Sequence, residues 1–253
     1  MTHGTRPLSD EERDIYNRHI LISGIGEKGQ SRLLDGSVLV IGAGGLGSPA
    51  LYYLASCGIG RLGIADSDRV ELSNLNRQIL HGHADLGKGK TTSARSSIEH
   101  IRPDIEVEEY PFRIDSRNGP GIAASYDFIV EATDNFESKF LINDLCVNAG
   151  KPFSHAGILA MYGQVMTVVP GQSPCYRCVF HKAPAPGKVQ TAAQAGVLGT
   201  VPGVLGAIQA TEAIKYLLGM EGLLTGALLT FDAAAMTFRK VELPVDKRCR
   251  VCG

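Results

Sequence analysis

The apolar run Val38-Leu39-Val40-Ile41 leads straight into Gly42-Ala43-Gly44-Gly45-Leu46-Gly47, and this junction restricts the fold more than any other stretch of the chain. The run reads as a buried strand. The glycines then permit a tight turn that brings backbone N–H groups, and the positive end of a following helix, close to phosphate oxygens. About twenty residues on, a second apolar segment ends in Asp66, where a strand-end carboxylate accepts hydrogen bonds from ribose hydroxyls. A dinucleotide would be satisfied by this much. The continuation is more basic: Arg77 and Lys90 predict a guest as anionic as the triphosphate of ATP.

The alternation of strand and helix continues along the chain. Leu46 to Cys57 reads as a helix closed by Gly58 and Gly60, and Arg61 to Ala65 as the second strand. Ser67 to Gly89 is polar and reads as a long loop with short helical turns. Lys90 to Ile101 is helical and stopped by Pro103, Ile105 to Tyr110 is a strand, and Phe128 to Val130 is another, running into Glu131-Ala132-Thr133-Asp134-Asn135. Phe136 to Ala149 is a helix with Gly150 just beyond it. Upstream, Leu8 to Arg18 predicts a short helix with Ser9 as N-cap and Glu12 at the capping-box position, and the glycines at 24, 26 and 29 predict a loop or broken helix.

From Pro152 the character changes. Gln164 to Val169, Leu228 to Phe231 and Phe238 to Leu243 are strand-like, and one long helix runs from about Val204 to Leu218. The fold class expected is α/β: a Rossmann-like, mainly parallel, doubly wound sheet with a C-terminal antiparallel extension. Residues 1–253 are expected to form a single domain, with an N-terminal helical arm over 1–35, a nucleotide-binding half over 36–150 and the extension over 151–253. The Pro/Gly/Ala-rich segment at about 181–196 lacks periodicity and is expected to be a mobile crossover loop.

A net charge of −1 excludes a general electrostatic pull toward nucleic acid or acidic membranes, so attraction for phosphate must be built locally. Asp10 to Asp14 rule out a secretory signal, and Val201 to Leu218 contains Gln209, Glu212 and Lys215, too polar for a membrane span. A cytoplasmic protein is expected. Cys175 and Cys178 form one C-x-x-C pair, and Cys249 and Cys252 another. Two such pairs supply the ligands of a structural tetrahedral zinc that would staple the C-terminus to the body; redox or accidental pairing is the alternative. Cys57 and Cys146 fall on expected helices and read as buried packing residues.

Ligands of an open parallel sheet bind beyond the carboxyl ends of its strands, where Gly42 to Gly47, Asp66 to Asp68 and Ala132 to Asn135 all fall. Asp134 there has the right type to hold Mg²⁺ through one carboxylate, or else to cap the following helix. Taken singly, Arg77 and Lys90 would be surface charges and Asp66 a solvated strand end. A nicotinamide-dependent oxidoreductase would explain the glycine turn and Asp66 but leave Arg77, Lys90 and the cysteine pairs idle.

Taken together, the motifs change that balance. Tyr16-Asn17-Arg18-His19-Ile20, Gly42 to Gly47, Asp66-Ser67-Asp68, Ser73-Asn74-Leu75-Asn76-Arg77-Gln78, Gly87 to Lys90, Thr133-Asp134-Asn135 and Pro174 to Cys178 resemble the ThiF/MoeB/HesA family, bacterial relatives of ubiquitin-activating enzymes. The resemblance runs from about residue 10 to the last cysteine pair. It implies ATP-dependent adenylation of the C-terminal glycine of a small ubiquitin-like sulfur-carrier protein ending in Gly-Gly, with release of pyrophosphate. By motif, Arg77 and Lys90 would contact the phosphates, Asp134 would bind Mg²⁺, Asp66 the ribose, and Asn74 would lie beside the phosphates. Gly42, Gly44, Gly45, Gly47, Asp68, Ser73, Asn76, Gln78, Thr133 and Asn135 would complete the nucleotide site. Arg18 would reach the ATP of a neighbouring subunit, which implies a homodimer.

Some members carry a loop cysteine five positions before the valine of an A-G-V element, and this thiol links covalently to the carrier. Here the element is Ala195-Gly196-Val197 and the matching position is Ala192. The resemblance therefore implies no thioester and a separate sulfur donor. Thiamin thiazole and molybdopterin synthesis both remain open, the first being favoured. A catalytically silent module that only binds a ubiquitin-like protein is the remaining alternative.

Overall fold

The computed structural model describes residues 6–185, 188–190 and 192–253. The N-terminal arm comprises α1 (Asp10–Ile15), α2 (Asn17–Ile20) and α3 (Gly26–Asp35). Ser9 and Glu12 form the expected capping box, but the single helix expected over 8–18 breaks at Tyr16, whose side chain turns inward and is buried. The glycines expected to mark a loop lie partly inside α3. At Gly29 the packing is close: a Cβ would lie 3.0 Å from an Ile25 methyl and 3.1 Å from a Leu218 methyl.

The sheet is then laid down as β1 (Ser37–Ile41), α4 (Gly47–Ser56), β2 (Arg61–Ala65), α5 (Lys90–Ile101), β3 (Glu106–Tyr110), α6 (Gly119–Ala124), β4 (Phe128–Glu131), α7 (Phe136–Asn148) and β5 (Phe153–Leu159). After β6 (Tyr162–Val168) come α8 (Tyr176–Val179), α9 (Ala192–Ala195), α10 (Thr200–Leu218), β7 (Ala227–Asp232) and β8 (Thr237–Glu242). Strand order is β3-β2-β1-β4-β5-β6-β7-β8. The first five strands are parallel; β6, β7 and β8 follow antiparallel, so β5 is the pivot between the two regimes. This is the expected doubly wound sheet with its antiparallel extension.

Alternation places Val38 and Val40 on one face of β1 and Leu39 and Ile41 on the other, and both faces are covered, which is why β1 is apolar throughout. The first face packs on α4, α5 and α10; the second packs on α7 and the segment around Tyr176. Five further elements differ from expectation, two of them the short helices α8 and α9, which were not expected. β5 was not expected, because Ser154, His155 and Gly157 hide a strand whose polar side chains are buried inside the protein. The Gly-Pro-Gly opening of α6 masked a helix. α10 starts at Thr200, four residues before the expected Val204, since Pro202 is tolerated in a first helical turn. Cys146 is buried as expected, whereas Cys57 caps the end of α4 and is only half-buried. Among the described residues no helix is long and apolar enough to cross a membrane.

Candidate active site

The order β3-β2-β1-β4-β5 sends the connections from β1 and β4 to opposite faces of the sheet, and a crevice opens between their carboxyl ends. It widens into a cleft of about 1570 Å³ that reaches across to β7 and β8. Gly42, Gly44, Gly45, Asp66, Asp68, Ser73, Asn76, Arg77, Gln78, Lys90, Thr133, Asp134 and Asn135 line it. Sequence segments up to about ninety residues apart therefore meet in one place, as the strand ends require.

The turn between β1 and α4 needs its glycines for different reasons. Gly42 has φ of 104°, and a Cβ there would lie 2.6 Å from the Ala132 carbonyl oxygen. Gly47 does not line the cleft, contrary to expectation. It lets the turn close on itself, since a Cβ would lie 1.8 Å from the Gly42 carbonyl oxygen. Gly47→Ala is expected to cost at least about 1–3 kcal/mol by overpacking, and to weaken ATP binding as the turn is pushed open. Thermal melting and ATP titration of the variant check this. α4 begins with no side-chain cap, but the Ser48 N–H is taken by the Gly44 carbonyl oxygen at 2.8 Å and Pro49 has no N–H, so an anion would meet the amides of the glycine turn just before them.

His81 supports the turn from behind. Its Nε2 lies 2.9 Å from the Ala43 carbonyl oxygen, which can only accept, so Nε2 carries the proton and Nδ1 accepts from the Ser93 hydroxyl at 2.9 Å. Burial pushes this imidazole below its ordinary range and keeps it neutral. The Asp66 carboxylate accepts from the Ala43 and Asp68 backbone N–H groups, each at 2.8 Å, and so ties the two loops together while retaining lone pairs toward the cleft.

The two basic side chains are held differently. One terminal nitrogen of Arg77 donates to the Ser73 carbonyl at 2.8 Å and to Asn76 Oδ1 at 2.9 Å, leaving its other donors unused. Arg77 makes no ion pair with a carboxylate among the described residues. Lys90 opens α5, is 7% exposed, and donates to Asp68 at 2.9 Å. Two of its three ammonium hydrogens remain. The Asn74 carboxamide oxygen accepts from the Glu71 backbone N–H at 3.0 Å, capping the short turn, and Asn74 lines a small recess that shares Asp68 and Lys90 with the main cleft.

Across the crevice, Asn135 caps α7 by accepting from the Ser138 N–H at 2.9 Å. The neighbouring Asp134 is thereby released from the capping role and is exposed, with only a 3.5 Å contact from Asn135 Nδ2. A carboxylate with free lone pairs in the cleft wall fits a hard divalent cation. Arg18 is exposed on α2 and does not line the cleft of its own chain.

Sequence reasoning missed the floor. Glu131 is fully buried and paired with Lys139 at 3.0 Å and His155 Nδ1 at 2.7 Å. Burial alone would raise this carboxyl, but Lys139, His155 and Thr133 outweigh it and hold Glu131 well below the usual carboxylate range. Burial keeps His155 below its own ordinary range, so its Nδ1–H donates to Glu131 and Nε2 is a bare acceptor with no hydrogen-bond partner. Lys139, His155 and Tyr176 all line the cleft. The only sequence signal was a lysine five positions after Asp134, which reads equally well as a solvated helix charge.

Behind α7 the four cysteines converge. Their sulfurs lie within 4.8 Å of one another, with Cys175–Cys249 at 3.7 Å, Cys175–Cys178 at 4.0 Å and Cys178–Cys252 at 3.4 Å. Tetrahedral zinc with Zn–S bonds of about 2.3 Å separates its sulfurs by about 3.8 Å, so the set fits that ion. These spacings are far beyond the roughly 2.05 Å of a disulfide.

The crevice thus gathers a glycine turn at the switch point, the strand-end carboxylate of Asp66 and the cations of Arg77 and Lys90 into one α/β site. The sequence pattern of the ThiF family matches residues 16–251, and the chain belongs to that family. It is 45% identical over 249 residues to the SAMP-activating enzyme E1 of Haloferax volcanii, covering 98% of this chain and 92% of that one. It is 44% identical over 248 residues to the sulfur carrier protein adenylyltransferase of Thermus thermophilus, with 96% and 92% covered. In fold it is similar to Escherichia coli MccB crystallised with MccA-N7isoASN, with a TM-score of 0.84 at 24% identity over 99% of this chain and 76% of that one.

Proposed function

We propose that this protein adenylates the C-terminal glycine carboxylate of a small ubiquitin-like sulfur-carrier protein, using ATP and Mg²⁺. The observation that carries the reading is Arg77: a cation with no carboxylate partner among the described residues, lining the same cleft as Lys90 and the glycine turn. Names of the relatives with which this chain shares nearly its whole length support the same activity. The carboxylate oxygen attacks the α-phosphorus, the bond to the β-phosphate bridging oxygen breaks, and pyrophosphate leaves. The nucleophile is already ionised near neutral pH, so no general base is needed. Positioning and charge stabilisation supply the acceleration.

In this reading Asp66 accepts from the ribose, the amides of the glycine turn face phosphate, and Arg77 and Lys90 balance the charge gathering on pyrophosphate. Asp134 holds Mg²⁺, with Thr133 and Asn135 shaping its corner. The carrier tail lies along the cleft toward β7 and β8. Arg18, exposed and away from its own cleft, serves the ATP of a second copy in a homodimer. The crossover segment over 181–196, of which residues 186, 187 and 191 lie outside the described residues, covers the tail. No cysteine lies between Cys178 and Cys249, so the product is the acyl-adenylate and a separate donor brings sulfur. The carrier of thiamin thiazole synthesis is the first candidate and that of molybdopterin synthesis the next, both in the cytoplasm.

The test is exchange of labelled pyrophosphate into ATP. Exchange that requires both Mg²⁺ and a Gly-Gly-ending carrier, with no carrier adduct on this chain by mass spectrometry, is the expected result. Absence of exchange with every carrier tried, together with retained carrier binding, would mark a binding module; NADH binding without ATP binding would mark an oxidoreductase.

A further inference from the structure

Thr133, the residue just before Asp134, is gripped from beneath the cleft on both sides of its backbone. Glu131 accepts at one carboxylate oxygen from the Thr133 backbone N–H, at 2.8 Å, and from the Thr133 hydroxyl. Lys139 Nζ donates to the Thr133 carbonyl oxygen at 2.7 Å, to the Ala156 carbonyl oxygen at 2.7 Å and to Glu131 Oε2 at 3.0 Å. An ammonium group has three donors, and these bonds use all of them. Lys139 therefore has nothing left to offer a phosphate, although it lies in the cleft wall.

What it holds is informative. The bond to Thr133 fixes the turn after β4, the bond to Ala156 fixes β5, and the lysine itself stands on α7. Asp134 follows the gripped carbonyl directly. Its side chain is exposed and has only the 3.5 Å contact with Asn135, so the backbone beneath it decides where its carboxylate stands. Glu131 and Lys139 are 0% and 8% exposed, and the network is closed above by the tilted contact of His155 with Tyr176, whose ring centroids are 4.4 Å apart.

We propose that Lys139, anchored on Glu131, is a positioning residue that holds the Asp134 carboxylate at the metal–phosphate corner of the cleft. The inference rests on the reading of Asp134 as the Mg²⁺ ligand. Groups that support a metal ligand from behind usually change metal affinity or activity about 10–100-fold when removed.

The test measures binding of a non-hydrolysable ATP analogue by calorimetry, with and without Mg²⁺ and without carrier protein. It compares the wild type with Asp134→Asn, Lys139→Met and the double variant Glu131→Gln/Lys139→Met. Lys139→Met strands the Glu131 charge, whereas the double variant removes both charges and keeps an oxygen for the Thr133 N–H; it carries the test where the single variant does not fold. Without Mg²⁺ the Lys139 variants are expected to bind the analogue as the wild type does. With Mg²⁺ they are expected to lose about 10-fold or more of the tightening that the wild type shows, as Asp134→Asn does. A folded double variant with the full wild-type tightening overturns the inference, whatever its melting temperature. Asp134→Asn with undiminished tightening overturns the reading of Asp134, and the inference falls with it.

Discussion

Replacing Arg77 or Lys90 with alanine is expected to lower carrier-dependent pyrophosphate exchange by about 10²–10³, the scale of losing one preorganised charge-stabilising donor. Stability should change little in either case. Arg77 contributes only bonds to the neighbouring Ser73 carbonyl and Asn76 side chain, and Lys90 pairs with an Asp68 that is 66% exposed. An ion pair with one partner in solvent contributes at most about 1 kcal/mol. The two kinetic constants separate two roles. A residue that only gripped ATP would raise KM and leave kcat intact, whereas one that meets charge developing on pyrophosphate lowers kcat. The free donors of Arg77 predict the second pattern. Arg77→Lys should recover only part of the rate, because a point charge cannot reproduce two parallel N–H bonds to phosphate oxygens. Wild-type kcat in Arg77→Ala and Lys90→Ala would remove both residues from the reaction.

How much of this was legible in the sequence depended on whether a role is local. The glycine turn, Asp66 at the end of β2 and the Asp134 turn after β4 are strand-end features, and strand ends are visible as apolar runs that stop. Chain topology then brings them together without further information. Gly47 shows where proximity in sequence fails. It stands inside a recognisable motif, yet the direction in which it faces is set by close packing. β5 was hidden for a related reason. His155 and Ser154 read as surface residues until Glu131 and Gln209 supply their partners from other elements, with Gln209 donating to the Ser154 carbonyl oxygen at 3.2 Å. Lys139 is the extreme case: three acceptors, two at or just past the end of β4 and one on β5, define the role of a side chain that stands on α7, and no single segment contains the pattern.

The cysteine pairs were legible from spacing, and the structure adds what their metal would secure. Removing it is expected to be the most destabilising single perturbation outside the core. Beyond β8 the chain is held mainly through Cys249 and Cys252, with Val251 partly packed against the second core. The other cysteine pair flanks α8, which is docked on α7 by the Tyr176 N–H to Asn143 at 2.8 Å and by two Arg177–Asp144 bonds at 2.5 and 2.7 Å. α7 is also the helix that carries Lys139 into the cleft floor, so a metal on the four thiols would brace the wall behind the cleft as well as the tail. Structural zinc contributes about 10–16 kcal/mol to the folding of zinc-finger peptides, which is as large as the whole stability of an ordinary domain. Here the sheet has its own core, so the share lost is smaller. A loss of about 4 kcal/mol corresponds to a fall in Tm of roughly 10 °C for a chain of this size. Cys249→Ser, or prolonged chelation of the wild type, should therefore lower Tm by that order and release the C-terminal segment to protease before the sheet unfolds. Metal analysis should find one zinc per chain in the wild type and none in Cys175→Ser/Cys249→Ser. A wild-type protein without zinc, or a cysteine variant that melts with the wild type, would show that the four thiols hold no structural metal.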